Sequence, residues 1–149
     1  MSTTQTAAVP ALVIRRTFDA PRERVFAAWT REELLRDWFG PPGVTLGSVT
    51  FDARPGGSYR IEMKHEDGEQ FNVRGTITEF QAPERLAYTW RWEEDDAQTE
   101  FDTFVSIDFV DLGAQTEIVF THTGLASLES RARHEHGWTG ILDKLSTAL

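Results

Sequence analysis

The last quarter of the chain sets the tightest limit on how it can fold: an alternating stretch, Thr116 to His122, runs into a long amphipathic stretch, Ser127 to Leu149. Spacings of three and four residues return to one helical face, so His134, Trp138, Ile141 and Leu145 form a single stripe. Ser127 is the expected N-cap of that helix. A helix with a Trp and a His among its apolar contacts, placed after a run of strands, predicts a sheet gripping a helix with room for a small molecule between them.

The preceding residues supply the sheet. Ala11 to Phe18 is a first strand. Asp19-Ala-Pro21 is expected to open a helix, with Pro in the first turn, Asp near the exposed backbone N–H groups, and Val25, Phe26 and Trp29 buried. Thr30-Arg-Glu-Glu33 has the spacing of a capping box and predicts a second short helix over Leu34 to Trp38, broken by Gly40-Pro-Pro-Gly43. From Val44 onward the period becomes two. Val44 to Phe51 is a strand, and Asp52 to Gly57 is a turn. Tyr59, Ile61 and Met63 then alternate with Arg60, Glu62 and Lys64, and Glu66 to Glu69 is a hairpin tip. Phe71, Val73, Gly75 and Ile77 form the next inward set, which Phe80 ends out of phase. After a turn at Ala82-Pro-Glu84, Leu86, Tyr88, Trp90 and Trp92 share a face. Glu93 to Glu100 is an acidic tip. Phe101, Val105, Ile107 and Phe109 alternate before a turn at Asp111 to Ala114, and Ile118, Phe120 and His122 alternate in the last strand. Short turns between consecutive strands imply antiparallel pairing.

Bulk composition narrows the class. A chain of 149 residues, 40% hydrophobic and 26% charged, reads as one globular domain. The expected division is a disordered leader over residues 1–10 and one domain over 11–149. Ten Phe, five Trp and two Tyr suffice for a core and a lined cavity besides. A formal charge of −9 repels polyanions, so neither nucleic acid nor an anionic membrane is an expected partner. No stretch approaches the roughly 20 apolar residues of a membrane span. The absence of cysteine excludes disulfides and thiolate chemistry and fits a cytoplasmic location. The first ten residues lack the basic and apolar regions of a signal peptide.

Motifs that would carry chemistry are few. His134-Glu-His136 does not predict a metal site, because helical residues two apart point roughly 200° away from each other. Trp138 also stands where HExxH needs its second His. The 52–57 segment lacks phosphate-loop spacing, the acidic tip lacks EF-hand spacing, and no GxSxG elbow is present. No cofactor, no metal and no catalytic residue is assigned. His122, inward on its strand, and His134, on the covering helix, could orient a polar group of a ligand, exchange protons with a carbonyl, or make structural hydrogen bonds. The expected ligand-binding set is Trp38, Tyr59, Met63, Phe71, Trp90, Trp92, His122, His134 and Trp138. The rings among them serve as cavity wall, core, or both. Gly137 and Gly140 each cost a helix about 1 kcal/mol relative to Ala, which points either to something packed close against them or to a tolerated local kink.

Taken together, several segments resemble the family called activator of Hsp90 ATPase homologue, within the START-like, Bet v 1-like helix-grip superfamily. They are Phe18-Asp-Ala-Pro21 with Val25-Phe-Ala-Ala-Trp29, Trp38-Phe-Gly-Pro41, Asp52-Ala-Arg-Pro-Gly-Gly57, Met63 with Asp67-Gly68, Pro83-Glu-Arg-Leu86, and Thr121-His122 with His134-x-x-Gly137-Trp138-x-x-x-Leu142. The resemblance runs from about Leu12 to Leu149. It implies an α+β fold: a curved antiparallel sheet of six or seven strands wrapped around a long C-terminal helix, with two short helices after strand one and a deep cavity. It also implies a small hydrophobic ligand, lipid-, polyketide- or aromatic-like, as partner, with homodimerisation a further option. The alternatives are a cofactor-independent cyclase/dehydratase or hydrolase-like enzyme in the same cavity, and a co-chaperone or protein-interaction module. The eukaryotic activators carry an additional N-terminal domain that the residues before Ala11 do not supply, so direct Hsp90 stimulation is not expected.

Overall fold

Alternation gives each strand one face that must leave water, and the computed structural model, which describes residues 9–93 and 102–149, turns all of these faces the same way. Seven strands form one antiparallel sheet in the order β1-β7-β6-β5-β4-β3-β2. They are β1 (Leu12–Phe18), β2 (Val44–Phe51), β3 (Ser58–His65), β4 (Gln70–Gln81), β5 (Arg85–Trp92), β6 (Thr103–Asp111) and β7 (Thr116–Thr123). Two short helices, α1 (Arg22–Thr30) and α2 (Glu32–Leu35), follow β1, and a 21-residue helix, α3 (Leu128–Ala148), ends the chain. The curved sheet wraps α3, the helix-grip arrangement implied by the sequence. The acidic tip from Glu94 onward, Phe101 and residues 1–8 lie outside the described residues. Ordered contacts are present from Val9, which packs against the core, and the Pro10 carbonyl accepts from Arg131 Nε at 3.1 Å.

Strand parity is as the alternation predicts. Tyr59, Ile61 and Met63 are buried on β3, Leu86, Tyr88 and Trp90 on β5, and Ile118, Phe120 and His122 on β7. Phe80 falls out of phase because the β4–β5 register shifts between Ile77 and Glu79. Such a bulge changes which face the following residues present, and Phe80 packs edge-on to Phe26 of α1 at 5.3 Å.

The helix starts depart from the expected capping. Pro21 itself is the N-cap of α1, with its carbonyl accepting from Arg24 and Val25, and the Asp19 side chain does not cap. The Thr30 capping box does not form. Thr30 is still inside α1, and its hydroxyl donates back to the Phe26 carbonyl at 2.9 Å, which satisfies it without a new helix start. Arg31 occupies the N-cap of α2, and Glu32 Oε2 accepts from the Phe51 backbone N–H of β2 at 3.0 Å. The second helix is therefore Glu32–Leu35, shorter and earlier than Leu34 to Trp38. Ser127 does cap α3, its hydroxyl accepting from Ser130 N at 3.0 Å.

Helix α3 is held to its surroundings along its length. Trp138, Ile141, Leu142 and Leu145 are buried against the sheet. Arg16 of β1 pairs with Asp143 at 2.6 Å, and Lys144 Nζ donates to the Gly40 carbonyl at 3.0 Å. Gly140 admits the 40–43 loop: a Cβ there would lie 2.7 Å from Pro42 Cδ. Of the two alternatives the sequence left open, close packing holds at Gly140, while a Cβ at Gly137 would meet nothing within 4 Å.

Candidate functional site

Strands β3, β4 and β5 and the middle of α3 leave a cavity of about 350 Å³ between them. Met63, Phe71, Trp90 and Trp92 wall it from the sheet, Pro41 from the loop after α2, and Arg133, His134, Gly137, Trp138 and Ile141 from the helix. The helical residues recur at intervals of three and four, so one face of α3 forms the roof. Phe71 and Trp92 are half-buried at the edge, with ring centres 5.7 Å apart, while Trp90 and Trp138 lie deeper at 4.9 Å.

Behind this wall runs a chain of hydrogen bonds. Trp138 Nε1 donates to His122 Nδ1 at 3.1 Å. That leaves His122 Nε2 to donate to Thr103 Oγ1 at 2.7 Å, whose hydroxyl donates in turn to the Trp90 carbonyl at 2.9 Å. His134 has the opposite tautomer. Its Nε2 accepts from Trp92 Nε1 at 3.1 Å, and Nδ1 donates to the Ser130 carbonyl at 2.8 Å. The two imidazoles meet edge to face at 5.1 Å. Each ring is thus neutral and has both nitrogens engaged. Burial, with a smaller contribution from His134, depresses the His122 pKa to about 3. His134 is also lowered, mainly by burial, although its bond to Ser130 acts the other way.

Of the nine expected ligand-site residues, Met63, Phe71, Trp90, Trp92, His134 and Trp138 line the cavity together. Trp38, Tyr59 and His122 are outside its lining. Trp38 packs on Trp29 at 4.8 Å and donates to the Ala28 carbonyl at 3.1 Å. The Tyr59 ring crosses β4 at Gly75, and its hydroxyl donates to the Thr89 carbonyl of β5. His122 and Trp138 do not face each other across open space; they touch. His136 is exposed while His134 turns inward, as the two-residue spacing requires. Arg133, like Pro41 and Gly137, is a lining residue that the apolar stripe did not reveal. Its signal was its place four residues before Gly137, a position already costly to the helix.

The family profile "Activator of Hsp90 ATPase homolog 1-like protein" matches residues 19–149. The chain belongs to this family. Among solved structures, this family member is similar to the AHSA1 protein of Silicibacter pomeroyi, with 28% identity, a TM-score of 0.84, and coverage of 93% of this chain and 96% of that one. It shares its fold with protein CV1439 of Chromobacterium violaceum at 24% identity and a TM-score of 0.84, covering 95% and 98% of the two chains. No curated protein matches it. No helix among the described residues of this AHSA1-like protein is long and apolar enough to cross a membrane.

Proposed function

We propose that the protein binds a small, apolar, ring-containing molecule in the cavity between β3–β5 and α3. One observation carries this reading: a cavity of about 350 Å³ whose wall is mostly aromatic and aliphatic, held by residues from four separate elements. Ligand sites are typically clefts of roughly 300–1,000 Å³ with apolar walls and few polar groups, and this cavity falls in that range. The family's fold commonly serves hydrophobic ligands, which agrees with the chemistry of the wall. Met63, Phe71, Trp90, Trp92, Trp138 and the ring of His134 supply the burial, and Arg133 the polar edge. Trp38, Tyr59 and His122 act from behind by holding the wall in place. The lack of cysteine supports a cytoplasmic setting.

The hydrogen bonds of the two histidines favour binding over proton transfer. A general base needs a free nitrogen within reach of the substrate, and His122 and His134 spend theirs on Trp138, Thr103, Trp92 and Ser130. Calorimetric titration with 2-naphthamide, a neutral two-ring probe, tests the reading. Saturable binding is expected, and Gly137→Leu, which fills the roof, should abolish it while the circular dichroism spectrum is kept. Binding that survives in Gly137→Leu would put the ligand elsewhere.

A further inference from the structure

Resting on that binding reading, we infer that the occupant is an acid: a flat apolar body carrying a carboxylate, whose anionic end is received by Arg133 at the cavity mouth. The indole N–H groups of Trp92 and Trp138 are taken by His134 and His122. Both nitrogens of His134 are taken as well, and its free lone pair is already spent on Trp92. Arg133 differs. A guanidinium has five N–H donors, and among the described residues Arg133 uses one, from Nη1 to Glu129 Oε1 at 2.7 Å. Its side chain is 58% exposed, so it stands at the opening and not inside the apolar wall.

The charge pattern agrees. The ten lining residues hold one permanent cation and no carboxylate, in a chain whose formal charge is −9. Trp90 Nε1, in the same wall, is buried without a hydrogen-bond partner. The side-chain polar groups of the lining that remain uncommitted are therefore donors, on Arg133 and Trp90. A ligand amine would meet the Arg133 cation, and the neighbouring carboxylate, Glu129, is already paired with it. A carboxylate would find a guanidinium able to form paired charge-assisted bonds. Gly137, one helical turn beyond Arg133, leaves room for it: a Cβ built there meets nothing within 4 Å. Glu129 is then a competitor, occupying part of the guanidinium until the acid arrives.

Three probes of one shape separate the possibilities: 2-naphthoate, 2-naphthamide and 2-naphthylmethylammonium, titrated calorimetrically into the wild-type protein and two variants. The acid should bind about 5–10-fold more tightly than the amide, and the amine should bind weakest. Arg133→Gln should collapse the acid-to-amide affinity ratio to about 1, whatever loss the two probes share. Glu129→Gln, by releasing the guanidinium, should tighten the acid alone, about 2–5-fold. If all three probes bind equally, or if Arg133→Gln leaves the acid-to-amide ratio unchanged, the acid preference is wrong while cavity binding stands. If no probe binds, the cavity reading fails and this inference with it.

Discussion

The indole of Trp138 on α3 donates to His122 Nδ1 on β7 at 3.1 Å, so the roof of the cavity is fastened to the sheet through a buried polar bond. Both residues are almost fully shielded, with 2% and 0% of their surface exposed. Apolar packing would hold the helix against the sheet at several registers. The directional bond between two buried rings helps to select one of them, together with those from Trp92 to His134 and from Lys144 to the Gly40 carbonyl.

Trp138→Phe keeps most of the ring and removes the donor. It leaves His122 Nδ1 buried and unpaired, which should cost about 1–3 kcal/mol of unfolding free energy. Urea denaturation at neutral pH measures it. A loss below about 0.5 kcal/mol would mean that the bond contributes little to stability.

The same burial makes stability depend on pH. With its folded pKa depressed to about 3 from an ordinary 6.5, His122 stays neutral in the native state while the unfolded chain takes up a proton. The unfolded state therefore binds more protons as the pH falls. The contribution is fully present above about 6.5 and is lost progressively down to about 3. Between pH 6.5 and 5, where most carboxylates remain ionised, the loss from this group is on the order of 1–2 kcal/mol. His122→Gln, which cannot titrate, should lose that much less over the interval. Parallel stability curves for the two proteins would show that His122 is not responsible.

The two helical glycines should respond differently to the same change. Gly137→Ala meets open space and should gain about 1 kcal/mol from helix propensity. Gly140→Ala gains the same propensity, but its Cβ would sit 2.7 Å from Pro42 Cδ, so the loop must shift. It should fall at least ~1 kcal/mol below Gly137→Ala. Thermal melts of the pair decide this, and equal midpoints would contradict the packing account.

Gly75 should tolerate no side chain. A Cβ there would lie 2.1 Å from the Thr89 carbonyl oxygen and 2.7 Å from a Tyr59 ring carbon. Gly75→Ala should therefore cost about 3 kcal/mol or more by overpacking. Chemical denaturation of the refolded variant provides the check, and a loss under ~1 kcal/mol would mean that the β5 backbone at Thr89 and the Tyr59 ring both yield freely.

Much of the fold is legible in the residue pattern itself. Tyr59-x-Ile61-x-Met63 and Ile118-x-Phe120-x-His122 reveal their inward faces directly, because side-chain parity is a property of an extended chain and needs no partner strand. Phe80 marks a bulge by breaking that parity. The local pattern misleads at Thr30, where the S/T-x-x-E spacing to Glu33 does not form a cap: the Thr30 hydroxyl turns back to the Phe26 carbonyl, and the neighbouring Glu32 turns to β2. A threonine hydroxyl within reach of its own helix's carbonyl can be satisfied there and need not cap the next helix.

The candidate site divides in the same manner. Sequence alone determined the sheet-then-helix order, the family motifs, and the face on which Trp90, Trp92, His134 and Trp138 lie, since these follow from periods of 2 and 3.6 that each segment carries in itself. Only the tertiary structure decided that His122 touches Trp138 without a gap, that Tyr59 and Trp38 stand behind the wall, and that Arg133 reaches the opening. A cavity is the volume a curved sheet encloses minus the volume its side chains fill. That difference depends on curvature, register and rotamers acting together, and no local pattern in the chain encodes it.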